Sequence, residues 1–142
     1  ETGWMHNRVR MIVASFLVKH LRIHWIEGEK HFKNCLVDYN EASNVAQWQW
    51  VAGCGADAAP YFRIFNPILQ GEKFDKDGIY TKKWVPELKN MPNKFLYKPW
   101  ELESKYQEQI KVVVGVDYPH PIVDHAEARN AALEAFKTIK KN

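Results

Sequence analysis

The chain has 142 residues, a formal net charge of +3, 46% apolar and 26% charged residues, which is one domain's length with enough apolar content to bury a core. These values are ordinary for a soluble globular protein and fall short of the strongly basic stripe of a dedicated nucleic-acid domain, so an anionic partner is permitted without being demanded. The longest mostly apolar run, Met11 to Val18, is far below the ~20 residues needed to span a bilayer.

From Gly3 to about Leu21, apolar Trp4, Val9, Ile12, Val13, Phe16, Leu17 and Leu21 recur every three or four positions and predict a helix. Asn7, Arg10, Met11 and Ala14 share one side of it, a polar pair beside a small residue and a thioether, as a pocket lining would. The same period predicts a second helix over Trp25 to Val37, with Glu27, Glu29 and Lys33 on its wet side and Glu29 paired with Lys33 four residues on. Asp38, Tyr39 and Asn40 read as the turn that ends it. A third helix is expected from Glu41 or Ser43 to Val51, stopped by the glycines at Gly53 and Gly55.

Ala58 to Gly71 has neither a helical nor an alternating period and is expected to be an ordered loop pinned by aromatics. Asp75 to Trp84 reads as a short helix, with Asp75 or Asp77 near its start and Lys82 and Lys83 near its end, as the helix dipole favours. Pro86, Pro92 and Pro99 make Glu87 to Tyr97 mostly connecting structure. Lys105 to Val116 contains strand-prone IKVVVGV, but with no partner strand it is expected as extended loop or a weak hairpin. Prolines hold Tyr118 to Val123 extended, and Asp124 with Glu127 forms a capping box for a last helix from Ala126 to about Lys140. The expected class is all-α.

Cys35 and Cys54 lack zinc or disulfide spacing, so reduced thiols and a cytoplasmic setting are expected. His6, His20, His24, His31, His120 and His125 form no HxH or HExxH pattern, so no metal is assigned; His6 reads as structural or as pocket wall. The chain carries no signal-peptide pattern and opens at Glu1 without an initiator Met, which suggests a piece of something longer. Six tryptophans are many for this length, and the plain reading is an aromatic core. Trp48 and Trp50 lie about 200° apart around a helix and must face different surroundings. Arg10 with Asp38, Asn40 and Asn44 reads most simply as a buried ion pair and two cap or turn residues.

Taken together, the blocks TGWMHNRVRM, SNVAQWQW and GADAAPYFRIFNPILQGEKFD, with the Asp38 to Asn44 turn, resemble the C-terminal part of the FAD-binding domain of the photolyase and cryptochrome family. The likeness runs from Thr2 to Lys140 and is strongest to the photolyases that split cyclobutane pyrimidine dimers. It implies FAD as cofactor, with Arg10 and Asp38 paired beneath the flavin, Asn7 and Asn40 also at the cofactor, and Asn44 beside flavin N5. Asn40 stands where the family more commonly has a second aspartate. Trp48 would lie next to the flavin and Trp25 would be the next step of an electron-transfer chain whose outermost tryptophan lies upstream of Glu1. Asn7, Arg8, Met11, Trp50 and Gln70 would face UV-damaged DNA, Arg8 at phosphate, Asn7 at the base, and Met11 and Trp50 as an apolar wall for the flipped-out dimer. Asp57 would anchor a loop, and the Arg63 guanidinium would bridge backbone carbonyls.

The resemblance further implies repair over light sensing, because cryptochromes typically carry Asp or Cys at the place of Asn44 and, in plant forms, Asp at the place of Asn7. The antenna domain and the upstream half of the helical domain have no counterpart in the chain, so a second chromophore should not bind. The expectation is a portion, residues 1–142, of a light-driven repair photolyase that is not competent by itself. Its expected partners are the missing N-terminal part, damaged DNA in the parent protein, and a second copy covering the open pocket face. The alternatives are a fragment of a cryptochrome-type photoreceptor and a helical fragment without activity.

Overall fold

The structure, a computed structural model, describes residues 1–56, 58, 60 and 63–140. Among these residues the chain is helical, as expected: α1 (Asn7–Ser15), α2 (Trp25–Cys35), α3 (Glu41–Ala52), α4 (Pro67–Phe74), α5 (Ile79–Trp84), α6 (Ser104–Ile110) and α7 (His125–Lys140). Extended backbone pairs in them only at an isolated bridge between Val114 and Tyr118. Two compact units form, one from Glu1–Phe65 with Val123–Asn142, the other from Asn66–Ile122.

In the first unit, α1 begins at Asn7 and not at Gly3, because the His6 ring accepts the Arg8 N–H at 3.2 Å and caps the helix there. After Ser15 it widens into a π-helical turn, Phe16–His20. That turn carries Lys19 and His20 inward, leaving them 1% and 5% exposed. The Lys19 ammonium donates to the Arg63 carbonyl at 2.6 Å and the Ser15 hydroxyl accepts the Phe65 N–H at 3.3 Å, which pins residues 63–65 to the helix. The expectation for Arg63 is therefore corrected: it is exposed, and its own carbonyl, not its guanidinium, makes the anchoring bond. Burial holds the Lys19 amine down at about 8. Asp57 lies outside the described residues.

The second helix ends at Cys35, two residues early, where Leu36 turns extended and the Val37 N–H donates to the Gly3 carbonyl at 3.0 Å. For α3 the expected limits hold, since Asn40 caps its start by accepting the Ser43 N–H at 3.0 Å and left-handed Gly53 (φ 76°) ends it. The core joins these helices through buried Ala14, Phe32, Trp48 and Val51, with Met5, Leu17, Val18, Trp25, Leu36 and Trp50 packed around them. Opposite Trp48, α2 has Gly28, where even a β-carbon would stand 2.1 Å from the indole. The last helix starts at His125, capped by the Asp124 carboxylate on the Glu127 N–H at 2.9 Å. It docks on the π-helical turn, where His20 Nε2 and His125 Nδ1 share a hydrogen bond of 2.7 Å. Burial first, then the neighbouring ring, holds His20 below the usual imidazole range; burial and then Arg129 do the same for His125.

In the second unit three expectations change. The end of the presumed loop is helical: α4 starts at Pro67 because Asn66 caps Ile68 and Leu69 N–H groups and proline suits the first helical position. The helix expected from Asp75 begins only at Ile79, although the Asp75 carboxylate still serves it by accepting the Tyr80 and Thr81 N–H groups. Part of the expected extended stretch is α6, after which left-handed Lys111 (φ 57°) releases the chain. The proline-rich connection does run as short 3-10 turns, yet it carries three of the core residues of this unit, Leu88, Met91 and Leu96. Tyr97 bonds to Asp75 and packs on Gly71, and burial pushes its phenol up to about 12. Cys35 and Cys54 are exposed free thiols. No described helix is long and apolar enough to cross a membrane.

Candidate flavin-binding site

The side chains that the sequence pattern put on one side of α1 do converge. Asn7, Arg10, Met11 and Ala14 meet Asp38, Tyr39 and Asn40 of the turn and Asn44 and Trp48 of α3 around one cavity of about 200 Å³. Each position has a local cause. Asn7, Arg10, Met11 and Ala14 stand three or four apart and so share one face of α1, which begins at the His6 cap. Asn44 and Trp48, four apart, share one face of α3, which begins at the Asn40 cap.

Arg10 is held at both ends: its Nε donates to the Met5 carbonyl at 2.7 Å, and its Nη2 donates to both Asp38 oxygens at 3.0 and 2.9 Å. The ion pair is half-buried, so it fixes the turn against α1 more than it adds stability. Asn40 lines the cavity while its Oδ1 is committed to the α3 cap. The Asn7 amide reaches the Met11 sulfur at 3.8 Å, and Arg8 is exposed beside it.

Asn44 is oriented by a partner that the helical period assigned elsewhere. Its Nδ2 donates to the Glu29 carbonyl and to Glu29 Oε1, both at 3.3 Å, and Tyr39 donates its hydroxyl to that same oxygen at 3.1 Å. Glu29 thus turns toward α3 instead of pairing with Lys33, whose ammonium lies 5.9 Å from the centre of the Tyr39 ring. Burial, then the Glu29 carboxylate, pushes the Tyr39 phenol up. Both groups facing the Asn44 amide are acceptors only, so the NH2 must point at them and Oδ1 is left for the cavity.

Trp48 is 2% exposed, edge-on to Phe32 at 5.1 Å and 70°. Trp25 is half-buried against the same cluster, its ring stacked on His24 at 5.8 Å. Trp50 faces away from that cavity, as its angular separation from Trp48 requires, and with Met11 it lines a second cavity of about 350 Å³ in the same unit. Gln70 lies on α4 in the other unit, with an enclosed Oε1 that no described residue hydrogen-bonds. Glu29 and Tyr39 were not among the expected site residues; the nearest signal was the position of Tyr39 between Asp38 and Asn40.

The family model for the FAD binding domain of DNA photolyase matches residues 1–138. A deoxyribodipyrimidine photo-lyase of Agrobacterium fabrum is 59% identical over 141 residues, covering 99% of this chain and 29% of that protein. A bacterial class III photolyase from Agrobacterium tumefaciens superposes with a TM-score of 0.94 at 58% identity, over 99% of this chain and 29% of that one. A cryptochrome from Synechocystis gives 0.88 at 43% identity, over 94% and 27%. The chain therefore spans under a third of the length of these relatives. With a match across nearly its whole length, the chain belongs to the photolyase family, within its FAD-binding domain.

Proposed function

We propose that the protein carrying this chain repairs DNA in light by splitting cyclobutane pyrimidine dimers, and that α1 to α3 form one wall of its FAD site. The observation that carries this reading is the convergence of Asn7, Arg10, Asp38, Asn44 and Trp48 on one cavity. The lining suits an isoalloxazine ring, with an aromatic and thioether surface for its faces and a fixed amide, carboxylate and guanidinium for its polar edge. At about 200 Å³, the cavity is smaller than the roughly 300–1,000 Å³ of complete ligand sites, which fits one wall of a site and a chain not competent alone.

Bound FAD in its reduced form would supply the light-driven electron that splits the dimer. The protein's part is to hold, orient and shield. Asp38, fixed by Arg10, and Asn44, fixed by Glu29, hold the ring's edge. Trp48, with Trp25 packed against the same cluster, would donate the electron that reduces oxidised flavin. Asn7, Arg8, Met11 and Trp50 receive the extruded lesion and its backbone, and Gln70, in the other unit, is assigned by itself as a DNA contact. We further assign the work to the cytoplasm, in keeping with two free thiols, and expect isolated copies of the chain to pair over the open pocket face, which sedimentation would test.

The test is repair of UV-irradiated DNA by the full-length protein with its flavin reduced. Dimers should disappear under blue light and persist in the dark. Dimers that persist under light despite a full complement of reduced flavin would overturn the reading. They would favour a light sensor, which the likeness to the Synechocystis cryptochrome raises and the asparagines at Asn7 and Asn44 weigh against.

A further inference from the structure

We propose that Tyr39 is a positioning residue for Asn44, acting through Glu29 to lock the amide with its carbonyl toward the cavity; the proposal deepens the flavin-site reading and rests on it for its functional meaning. Glu29 Oε1 receives the Tyr39 hydroxyl at 3.1 Å and the Asn44 amide at 3.3 Å, so one oxygen joins the turn to α3. A glutamate side chain on a helix has several rotamers open to it, and Lys33, one helical turn along α2, is a competing partner at the surface. The phenol holds the carboxylate away from that partner. Held so, the carboxylate can only accept, and it joins the Glu29 carbonyl in fixing which end of the Asn44 amide faces inward.

The consequence lies in what the cavity can discriminate. Reduction gives the isoalloxazine ring an N–H donor where the oxidised ring has a bare acceptor nitrogen. An inward carbonyl on Asn44 favours the first, whereas an amide free to turn over serves both. Tyr39 therefore biases the site toward reduced flavin through Glu29 and Asn44. Of the charged groups around this assembly besides Glu29, Lys33 lies 5.9 Å from the Tyr39 ring centre, Glu41 adds negative charge near the phenol, and Arg10 and Asp38 line the same cavity. None of these is a hydrogen-bond partner of Asn44 among the described residues.

Hydrogen exchange of the Asn44 side-chain amide, followed by NMR on the isotope-labelled 142-residue chain, tests the lock without flavin. Tyr39→Phe should speed exchange about tenfold, the ratio expected for loss of one hydrogen bond to a charged group. Glu29→Gln should speed it similarly, and Tyr39→Phe added to Glu29→Gln should add nothing, because the phenol acts only through the carboxylate. Unchanged exchange in Tyr39→Phe, or an equal effect of it in both backgrounds, overturns the proposal; should Tyr39→Phe unfold, unchanged exchange in Glu29→Gln does so. In the flavin-loaded full-length protein, Tyr39→Phe should make the flavin midpoint potential more negative, by a shift equivalent to on the order of fivefold weaker preference for the reduced form. An unchanged potential at full flavin content also overturns the proposal. A wild-type protein devoid of flavin would instead remove the flavin-site reading.

Discussion

Replacing Gly28 by alanine puts the packing of α2 on α3 to a direct test. The added methyl would sit 2.1, 2.4 and 2.6 Å from three carbons of the Trp48 ring, against the ~3.5–4.0 Å of ordinary carbon contact, so the indole must retreat by roughly 1.5 Å. It cannot do so freely, being 2% exposed and packed edge-on against Phe32. Overpacking of this kind costs about 1–3 kcal/mol, and a rigid ring met by three close contacts belongs at the upper end. Alanine regains about 1 kcal/mol over glycine within a helix. The expected net loss is thus about 2 kcal/mol, read as a lowered urea midpoint at unchanged slope, with a shifted tryptophan emission. A stability gain of about 1 kcal/mol with unmoved emission would mean that only helix propensity acts there and that the close approach to Trp48 is absent.

Trp48→Phe removes the indole from the cavity wall while keeping a ring; it should slow photoreduction of oxidised flavin in the full-length protein by at least about tenfold, and leave repair from pre-reduced flavin within about twofold. Equal photoreduction rates would refute the electron-donor role. For His20 and His125 the folded imidazoles titrate below the ordinary 6.5, so as pH falls from there the unfolded chain takes up protons first. Their contribution is complete above that value and is lost as pH drops through the lowered folded values. Urea midpoints should therefore decline on acidification, and His125→Phe should flatten that decline; an unchanged acid limb would exclude the pair as its cause. Lys19→Met should weaken protection of the Phe65 segment from proteolysis, because the ammonium bond to the Arg63 carbonyl is lost; undiminished protection would show that the Ser15 bond suffices.

How much of this was legible in sequence varies with the kind of signal. The third helix could be bounded within a residue or two because Asn40 and Gly53 punctuate it chemically. α6 escaped because only Gln107 is buried along it, leaving no apolar stripe, while the neighbouring valines drew a strand-like reading. α4 hid inside a run of aromatics, although Asn66 and Pro67 spelled its start. The inward turn of Lys19 and His20 follows from the π-helical turn, whose extra residue shifts the phase that a helical period assumes. Within the site, the polar face of α1 was readable, since neighbours on one helix face are set by spacing alone. The role of Glu29 was not, because it depends on a phenol ten residues away that only the folded turn brings back to α2.

The most direct test of the central claim is the flavin content of the purified full-length protein, wild type beside Asp38→Ala, read from the visible absorption spectrum after free flavin is removed. Near-stoichiometric flavin is expected in the wild type, and a loss of at least about tenfold in affinity in Asp38→Ala, whose Arg10 would be left without its carboxylate. Equal flavin content and affinity in both, with helicity unchanged, would contradict the claim and place the cofactor away from the wall built by α1, α2 and α3.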